Sequence, residues 1–209
     1  MKIIFATGNA GKMKEIRQIL SDVDATIESM KEAGIDIDIV EDGKSFEENA
    51  LIKARAVANE LKNIGEDNYV VFADDSGLEV DYMDKAPGIY SARFLGEDTS
   101  YTIKNNYIIN KLEGVKKEDR TARFVCAIAC VAGGAGKETK EFSCLGTIEG
   151  YIGYEEAGEN GFGYDPIFMV DEYGCTTAQL SPEQKNAISH RGKALTTMKN
   201  ILIENKVIA

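Results

Sequence analysis

Residues 2–20 pass from a short apolar run, Lys2-Ile3-Ile4-Phe5-Ala6, through the polar Thr7-Gly8-Asn9-Ala10-Gly11-Lys12, to Met13, Ile16 and Leu20 at helical spacing. A strand, a glycine loop and a helix in immediate succession commit the chain to a sheet with helices packed on it. The same order presents the unbonded N–H groups and positive dipole end of a helix start to an anion. The loop is not a Walker A sequence: Ala6 stands five before Gly11 where Gly belongs, and Met13 stands where Ser or Thr would hold magnesium. A flexible strand-to-helix turn is the plain alternative, while Asn9 and Lys12 favour phosphate.

Further signals follow the same alternation. Ser45 caps a second helix and Glu48 completes a capping box, with Phe46, Ala50, Ala54, Val57 and Leu61 forming the buried stripe and Lys53 beside it. Tyr69–Ala73 and Leu78–Tyr82 read as two strands joined by a turn at Asp74-Asp75-Ser76-Gly77, and Pro87-Gly88 marks another turn. Residues 99–112 are helical in pattern, and 121–132 and 139–148 are β-rich around Gly133-Gly134-Ala135-Gly136, as in a hairpin. Ser181, Pro182 and Gln184 open another helix start, and Leu195, Met198 and Leu202 lie on a last helix. The remaining Met and Tyr residues read as core. No linker divides the chain, so the pattern predicts a single α/β domain over residues 1–209 with a mixed sheet.

Charge narrows the partners. The chain carries 24 Lys+Arg against 35 Asp+Glu, a formal charge of −11. That balance opposes broad binding to nucleic acid or an anionic membrane, but leaves a local lysine cluster able to take a small anion. No apolar run approaches the roughly 20 residues of a membrane span, and the opening run is too short for a signal-peptide core. Four cysteines without a CxxC pair, and the single His190, argue against disulfide staples and a zinc cluster. The expectation is a reduced, cytoplasmic protein.

Three further segments carry chemistry. Asp74 and Asp75 offer adjacent, opposite-pointing carboxylates at a strand end, suited to a hard cation such as Mg²⁺, and Glu41-Asp42 could bring further acids to the same ion. The competing reading is an Asx turn with both acids in water. Gly161-Phe162-Gly163-Tyr164-Asp165-Pro166 offers close approach, stacking and an acceptor for a base or ribose, or else a rigid turn whose aromatics fill core. Ser189-His190-Arg191-Gly192 offers a donor to a carbonyl or phosphate, or else a helix start with two solvated side chains.

Taken in order, these blocks resemble the inosine triphosphate pyrophosphatase family, the XTP/dITP diphosphatases. The matching residues are Thr7 to Lys12, Phe46 to Ala54, Ala73 to Leu78, Pro87 to Arg93, Gly161 to Phe168 and Ser189 to Gly192. The resemblance implies an elongated mixed β-sheet flanked by helices, two lobes with a central cleft, a homodimer, and Mg²⁺-dependent conversion of ITP, dITP and XTP to monophosphate and pyrophosphate. Carried over by motif, Thr7, Gly8, Asn9, Ala10, Gly11 and Lys12 hold the phosphates and Lys53 adds charge. Glu41 and Asp75 ligate magnesium, Asp75 also accepts the water's proton, with Asp74 the alternative for either job, and Ser76 touches substrate. Phe162, Gly163, Tyr164, Asp165, Lys185, His190 and Arg191 line the nucleoside pocket. Asp84-Lys85-Ala86 departs from the family pattern, standing where many relatives carry glycines.

Elementary chemistry is consistent with that assignment. Cleaving an α–β phosphoanhydride needs an in-line water, a cation and fixed donors. Hypoxanthine and xanthine present an acceptor at O6 where adenine presents an amine, so N–H donors from Arg191 or backbone amides there would exclude ATP. A Maf-type pyrophosphatase acting on other bases, and a nucleotide-binding regulator without turnover, are the alternative readings; a nucleic-acid-binding module meets the acidic charge and is disfavoured.

Overall fold

The computed structural model describes residues 2–134 and 136–208. The elements run β1 (Lys2–Phe5), α1 (Ala10–Ile19), β2 (Thr26–Ser29), α2 (Phe46–Asn63), β3 (Tyr69–Val80), α3 (Tyr101–Lys111), β4 (Thr121–Gly133), β5 (Lys140–Ile152), β6 (Phe168–Val170), β7 (Cys175–Thr176), α4 (Pro182–Ile188) and α5 (His190–Glu204). The strands form one seven-stranded sheet in the order β2-β1-β3-β4-β5-β6-β7. Strand β1 is parallel to β2 and β3, whereas β6 is antiparallel to β5 and β7, so the sheet is mixed as expected. Of the expected hairpin turn, Ala135 lies outside the described residues.

Two compact units divide the chain: Met1–Asp75 with Cys126–Gly146 and Arg191–Ala209, and Ser76–Val125 with Thr147–His190. Each has its own apolar core. In the first, Ile3, Phe5, Ile16, Phe72, Ile128 and Leu195 are buried together. In the second, Leu78, Ile108, Leu112, Phe124, Ile167 and Phe168 are. Among the described residues no helix is long and apolar enough to cross a membrane.

Helix starts follow the caps read from sequence. The Ser45 side chain accepts from Glu48 N at 3.1 Å as expected, but Glu48 Oε2 accepts from Lys44 N at 2.6 Å instead of from Ser45 N, so the cap forms without the expected reciprocal box. Ser181 and Gln184 form a reciprocal capping box ahead of α4, with Pro182 at its first turn. Methionines Met13 and Met198 are core, as are Tyr69 and Tyr164, but Tyr82, Tyr90 and Tyr154 are more than half exposed. Two of these three exposed rings lie on guanidinium groups instead of in the core: Tyr90 under Arg93, and Tyr154 over Arg120. Arg120 is itself buried and donates to the carbonyls of Leu112, Ile152 and Gly153 at 2.6, 2.7 and 2.6 Å, closing the C-terminal end of α3.

One element differs from expectation. Asp74-Asp75-Ser76-Gly77 is not a turn between two strands but the middle of the continuous β3. Its pairing explains why: β1 matches β3 only from Ile3↔Val70 to Phe5↔Phe72, so β1 stops while β3 continues past it. The two acids therefore lie where β3 has lost its β1 neighbour, and extended backbone sends them to opposite faces.

The turn at Asp84-Lys85 carries two consecutive non-glycine residues at positive φ, +50° and +66°. Asp tolerates that region, but a lysine Cβ there crowds the following carbonyl. Lys85 gives little in return, its ammonium lying 3.8 Å from Glu79 on an exposed side chain. Lys85→Gly is expected to stabilise the fold by about 1 kcal/mol, read as a higher urea midpoint at unchanged slope.

Candidate active site

The first unit places four of its elements around two carboxylates. Strand β3 sends Asp74 toward α1 and α5 and Asp75 toward α2, and each acid acquires a distinct set of partners. Asp74 accepts from Lys12 Nζ at 3.1 Å through Oδ1 and from Arg191 Nη2 at 3.1 Å through Oδ2. Arg191 also bonds Glu15 of α1. Asp75 accepts from Lys53 Nζ at 3.3 Å and from Asn49 Nδ2 at 3.2 Å, and Lys53 bonds Glu41 Oε2 at 2.8 Å.

These partners set opposite acidities. Burial alone would raise the Asp74 pKa, but Lys12, then Arg191 and Lys53, outweigh it and hold the carboxyl far below the usual range. For Asp75 burial dominates and the pKa is raised, because Lys53 is shared with other acids and Lys12 lies further off. Burial also works against the Lys53 ammonium, but Asp75, Asp74 and Glu41 together more than offset it and raise its pKa.

The loop of residues 7–12 is held by its own side chains. Thr7 Oγ1 accepts from Asn9 N at 3.2 Å, and Asn9 Oδ1 accepts from Lys12 N at 3.1 Å, so Asn9 is the N-cap of α1 as well as a candidate donor. Ala10 and Gly11 are the first helical residues, preceding the Met13 N to Asn9 O bond that begins the intrahelical ladder. Thr7, Gly8, Asn9, Lys12, Lys53 and Glu41 open onto a cavity of about 310 Å³ that Asp74 also lines. Asp42 is exposed, and among the described residues no three acids, cysteines or histidines form a metal-sized cluster, so the additional acids expected from Glu41-Asp42 reduce to Glu41.

The second unit gathers another group. Gly161 has φ +76°, and a Cβ there would lie 2.2 Å from Asp165 Oδ2, so the loop closes only around glycine. Asp165 is buried and accepts from Phe162 N at 2.8 Å, Thr177 Oγ1 at 2.8 Å and Lys185 Nζ at 2.6 Å. Lys185 in turn lies 5.1 Å from the centre of the part-buried Phe162 ring. Tyr164 fills core: it is buried, meets Tyr101 edge-on, and donates its hydroxyl to Ser91 O at 2.7 Å. Gly163 O accepts from Asn105 Nδ2 at 3.3 Å. Ser76, the first residue of this unit, follows Asp75 along β3.

The Ser189-His190-Arg191 segment does start a helix, but neither side chain is solvated. His190 is buried and stacks on Phe124 with ring centres 4.9 Å apart, and Arg191 is buried against Asp74 and Glu15. The two neighbours belong to different units, His190 to the second and Arg191 to the first.

Sequence reasoning passed over Asn49, Glu15 and Ser91. Asn49 sits four residues before Lys53 and on the same helical face, a spacing that marks it as its neighbour. Glu15 and Ser91 carry no such local signal: their partners are Arg191, 176 residues away, and Leu78, 13 residues away.

Comparison with known proteins matches this arrangement along almost the whole chain. The Ham1 family model covers residues 3–201, and the chain belongs to that family. It is 47% identical over 201 residues to a protein of Clostridium perfringens named dITP/XTP pyrophosphatase, covering 96% of this chain and 97% of that one. A Bacillus subtilis protein of the same name is 44% identical over 199 residues, covering 95% and 96%. Among solved structures, a HAM1 protein from Coxiella burnetii superposes with a TM-score of 0.83 at 37% identity, covering 98% of this chain and 99% of the other. The Staphylococcus aureus Ham1 protein gives 0.79 at 41% identity, covering 98% and 100%.

The opposite acidities predict opposite effects of neutralising each acid. Asp74 has its pKa depressed on folding, so its ionised form supports the fold at neutral pH, and that support is lost only as pH falls through the folded value. Asp75 has its pKa raised, so its ionised form opposes folding at neutral pH. Asp74→Asn is expected to cost about 3–5 kcal/mol, leaving Arg191 and Lys12 under-compensated, while Asp75→Asn stays within about 1 kcal/mol of wild type or above it. Urea unfolding at pH 7 with EDTA present reads both.

Proposed function

We propose that the protein is a nucleoside triphosphate diphosphatase that hydrolyses ITP, dITP and XTP to the monophosphate and pyrophosphate. The observation that carries this reading is the 310 Å³ cavity in which Lys12 and Lys53, from different helices, converge with the helix-start loop. Full-length likeness to proteins named dITP/XTP pyrophosphatase supports the base class, and favours it over a Maf-type enzyme.

In this reading the triphosphate takes the backbone amides of Gly8, Ala10 and Gly11, the Asn9 side-chain amide and the ammonium groups of Lys12 and Lys53, since the amides of Thr7, Asn9 and Lys12 are bonded within the chain. Glu41 and Asp75 would hold Mg²⁺. The donor set fits a hard cation: both are carboxylates, both already lie against the Lys53 ammonium, and a site with only two protein carboxylates suits an ion that keeps waters and substrate oxygens. When bound, the ion offsets negative charge on the phosphate oxygens. Asp75 accepts the proton of the attacking water. In the metal-free chain burial makes Asp75 the more basic of the two acids, a bound cation would draw its pKa down again, and its partners at 3.2 and 3.3 Å hold the carboxylate by long bonds. Asp74, deeply acidic and fully enclosed, instead anchors Lys12 and Arg191.

The nucleoside takes Ser76, Phe162, Gly163, Tyr164, Asp165, Lys185, His190 and Arg191 as its surroundings, in three different capacities. Phe162 offers a stacking face and Lys185 a donor, set in place by Asp165. Tyr164 and His190 shape the wall from the core side. Donors toward O6 come from the Gly163 amide and the Lys185 ammonium, since the Arg191 guanidinium is engaged by Asp74 and Glu15 and the Phe162 amide by Asp165. The reading includes a cytoplasmic homodimer, which family likeness alone supports.

Product analysis with purified protein, Mg²⁺ and a panel of ITP, dITP, XTP, GTP, ATP and dTTP tests it. Pyrophosphate and monophosphate from the first three, with little from the rest, is the expected outcome. Asp75→Asn and Lys53→Ala are each expected to lose about 100-fold or more in kcat while remaining folded. Orthophosphate release would overturn α–β cleavage, preference for dTTP would overturn the base class, and ITP binding without turnover would leave a regulator.

A further inference from the structure

The first unit has a second concave site, at the opposite ends of the strands that carry the first. Strand β3 begins at Tyr69 and reaches Asp74 five residues later, a separation of roughly 15 Å along an extended strand. Around Tyr69 lies a pocket of about 410 Å³ whose wall includes Lys2, Lys137, Lys140 and Lys206, with Glu138 as its one carboxylate. In a chain of net charge −11 this is a local reversal of sign.

The lysines come from four separate places: the start of β1, the β4–β5 connection, the start of β5 and the chain beyond α5. Lys2 pairs with Glu28 at 3.0 Å and Lys137 with Asn68 Oδ1. Lys140 and Lys206 have no ion pair or side-chain hydrogen bond among the described residues. Two ammonium groups without a counterion thus face one pocket.

The floor gives an independent indication. Tyr69 is 5% exposed, yet its hydroxyl makes no hydrogen bond among the described residues. The hydroxyl itself is not sealed off, so it reaches the solvent of the pocket that Tyr69 lines. Room for the hydroxyl exists only because residue 133 is glycine: a Cβ there would lie 2.7 Å from Tyr69 Oη. The pocket therefore has a phenol donor at its base, kept clear by a glycine, and ammonium donors at its rim.

We propose that this pocket binds an inorganic phosphate-class anion, orthophosphate or pyrophosphate, at a site separate from the catalytic one. Lysines supply charge without demanding planar geometry, as suits a tetrahedral oxyanion, and the tyrosine hydroxyl supplies one directed hydrogen bond. The proposal does not depend on the hydrolytic reading.

A ¹H–¹⁵N correlation titration of the full chain with sodium pyrophosphate, and separately with sodium phosphate, tests it at constant ionic strength with EDTA present. Saturable shifts are expected at the amides of Val70, Gly133 and Lys140, and the tighter of the two titrants identifies the source. The double variant Lys140→Gln/Lys206→Gln is expected to bind about tenfold more weakly at those amides, and Tyr69→Phe severalfold more weakly, with ITP turnover unchanged in both. Saturable shifts confined to residues 7–12, linear shifts matched by added NaCl, or unchanged affinity in the double variant would each overturn the site. Loss of ITP turnover in wild type would refute the hydrolytic reading and leave this one standing.

Discussion

Asp74 has no solvent-exposed side-chain surface, and its charge is tolerable only because Lys12 and Arg191 meet it from two helices. An isolated buried carboxylate costs several kcal/mol even after relaxation. Strand β3 and helices α1 and α5 must therefore pack together for the ion to be stable at all. The resulting constraint fixes Lys12, the residue that closes the 7–12 loop, at the edge of the 310 Å³ cavity. A structural ion pair and the phosphate contact proposed for Lys12 share one ammonium group, so the loop's geometry is set by the core and not by a ligand.

Neighbouring acids then differ because a strand alternates. Asp75 faces α2, where Lys53 is shared with Glu41 and Asn49 supplies only a neutral donor. One residue along the same backbone, an acid moves from strong compensation to weak compensation. That asymmetry divides the labour: a permanently ionised anchor on one face and a more basic carboxylate on the other. A turn at residues 74–77 would not have enforced it, since turn geometry gives no guarantee of opposite faces or unequal burial.

The sequence made the helices legible because their signals are local. Ser45 with Glu48, and Ser181 with Gln184, announce their caps within four residues, and apolar spacing does the rest. What it hid was the state of Asp74-Asp75-Ser76-Gly77, whose composition is that of a turn. Its extended form rests on tertiary terms: Ser91 Oγ accepting from Leu78 N at 2.9 Å, and distant cations satisfying both acids. Similarly, Arg191 beside His190 reads as a solvated pair, and only a partner 117 residues away reveals a buried one. The site residues were visible as types in an order; their partners, and hence their acidities, were not.

The first unit holds lysines in two electrostatic conditions. Lys12 is matched to Asp74, and Lys53 to Glu41 and Asp75, so the 310 Å³ cavity that both lysines line presents two ammonium groups already paired with carboxylates. A triphosphate entering such a cavity meets no surplus of positive charge from these two lysines. Lys140, at the start of β5, and Lys206, beyond α5, carry no such counterions among the described residues. A pocket of that kind takes an oxyanion without a metal. The contrast follows from where carboxylates were placed, not where lysines were: an acidic chain can tune two anion sites differently by pairing the cations of one and sparing those of the other.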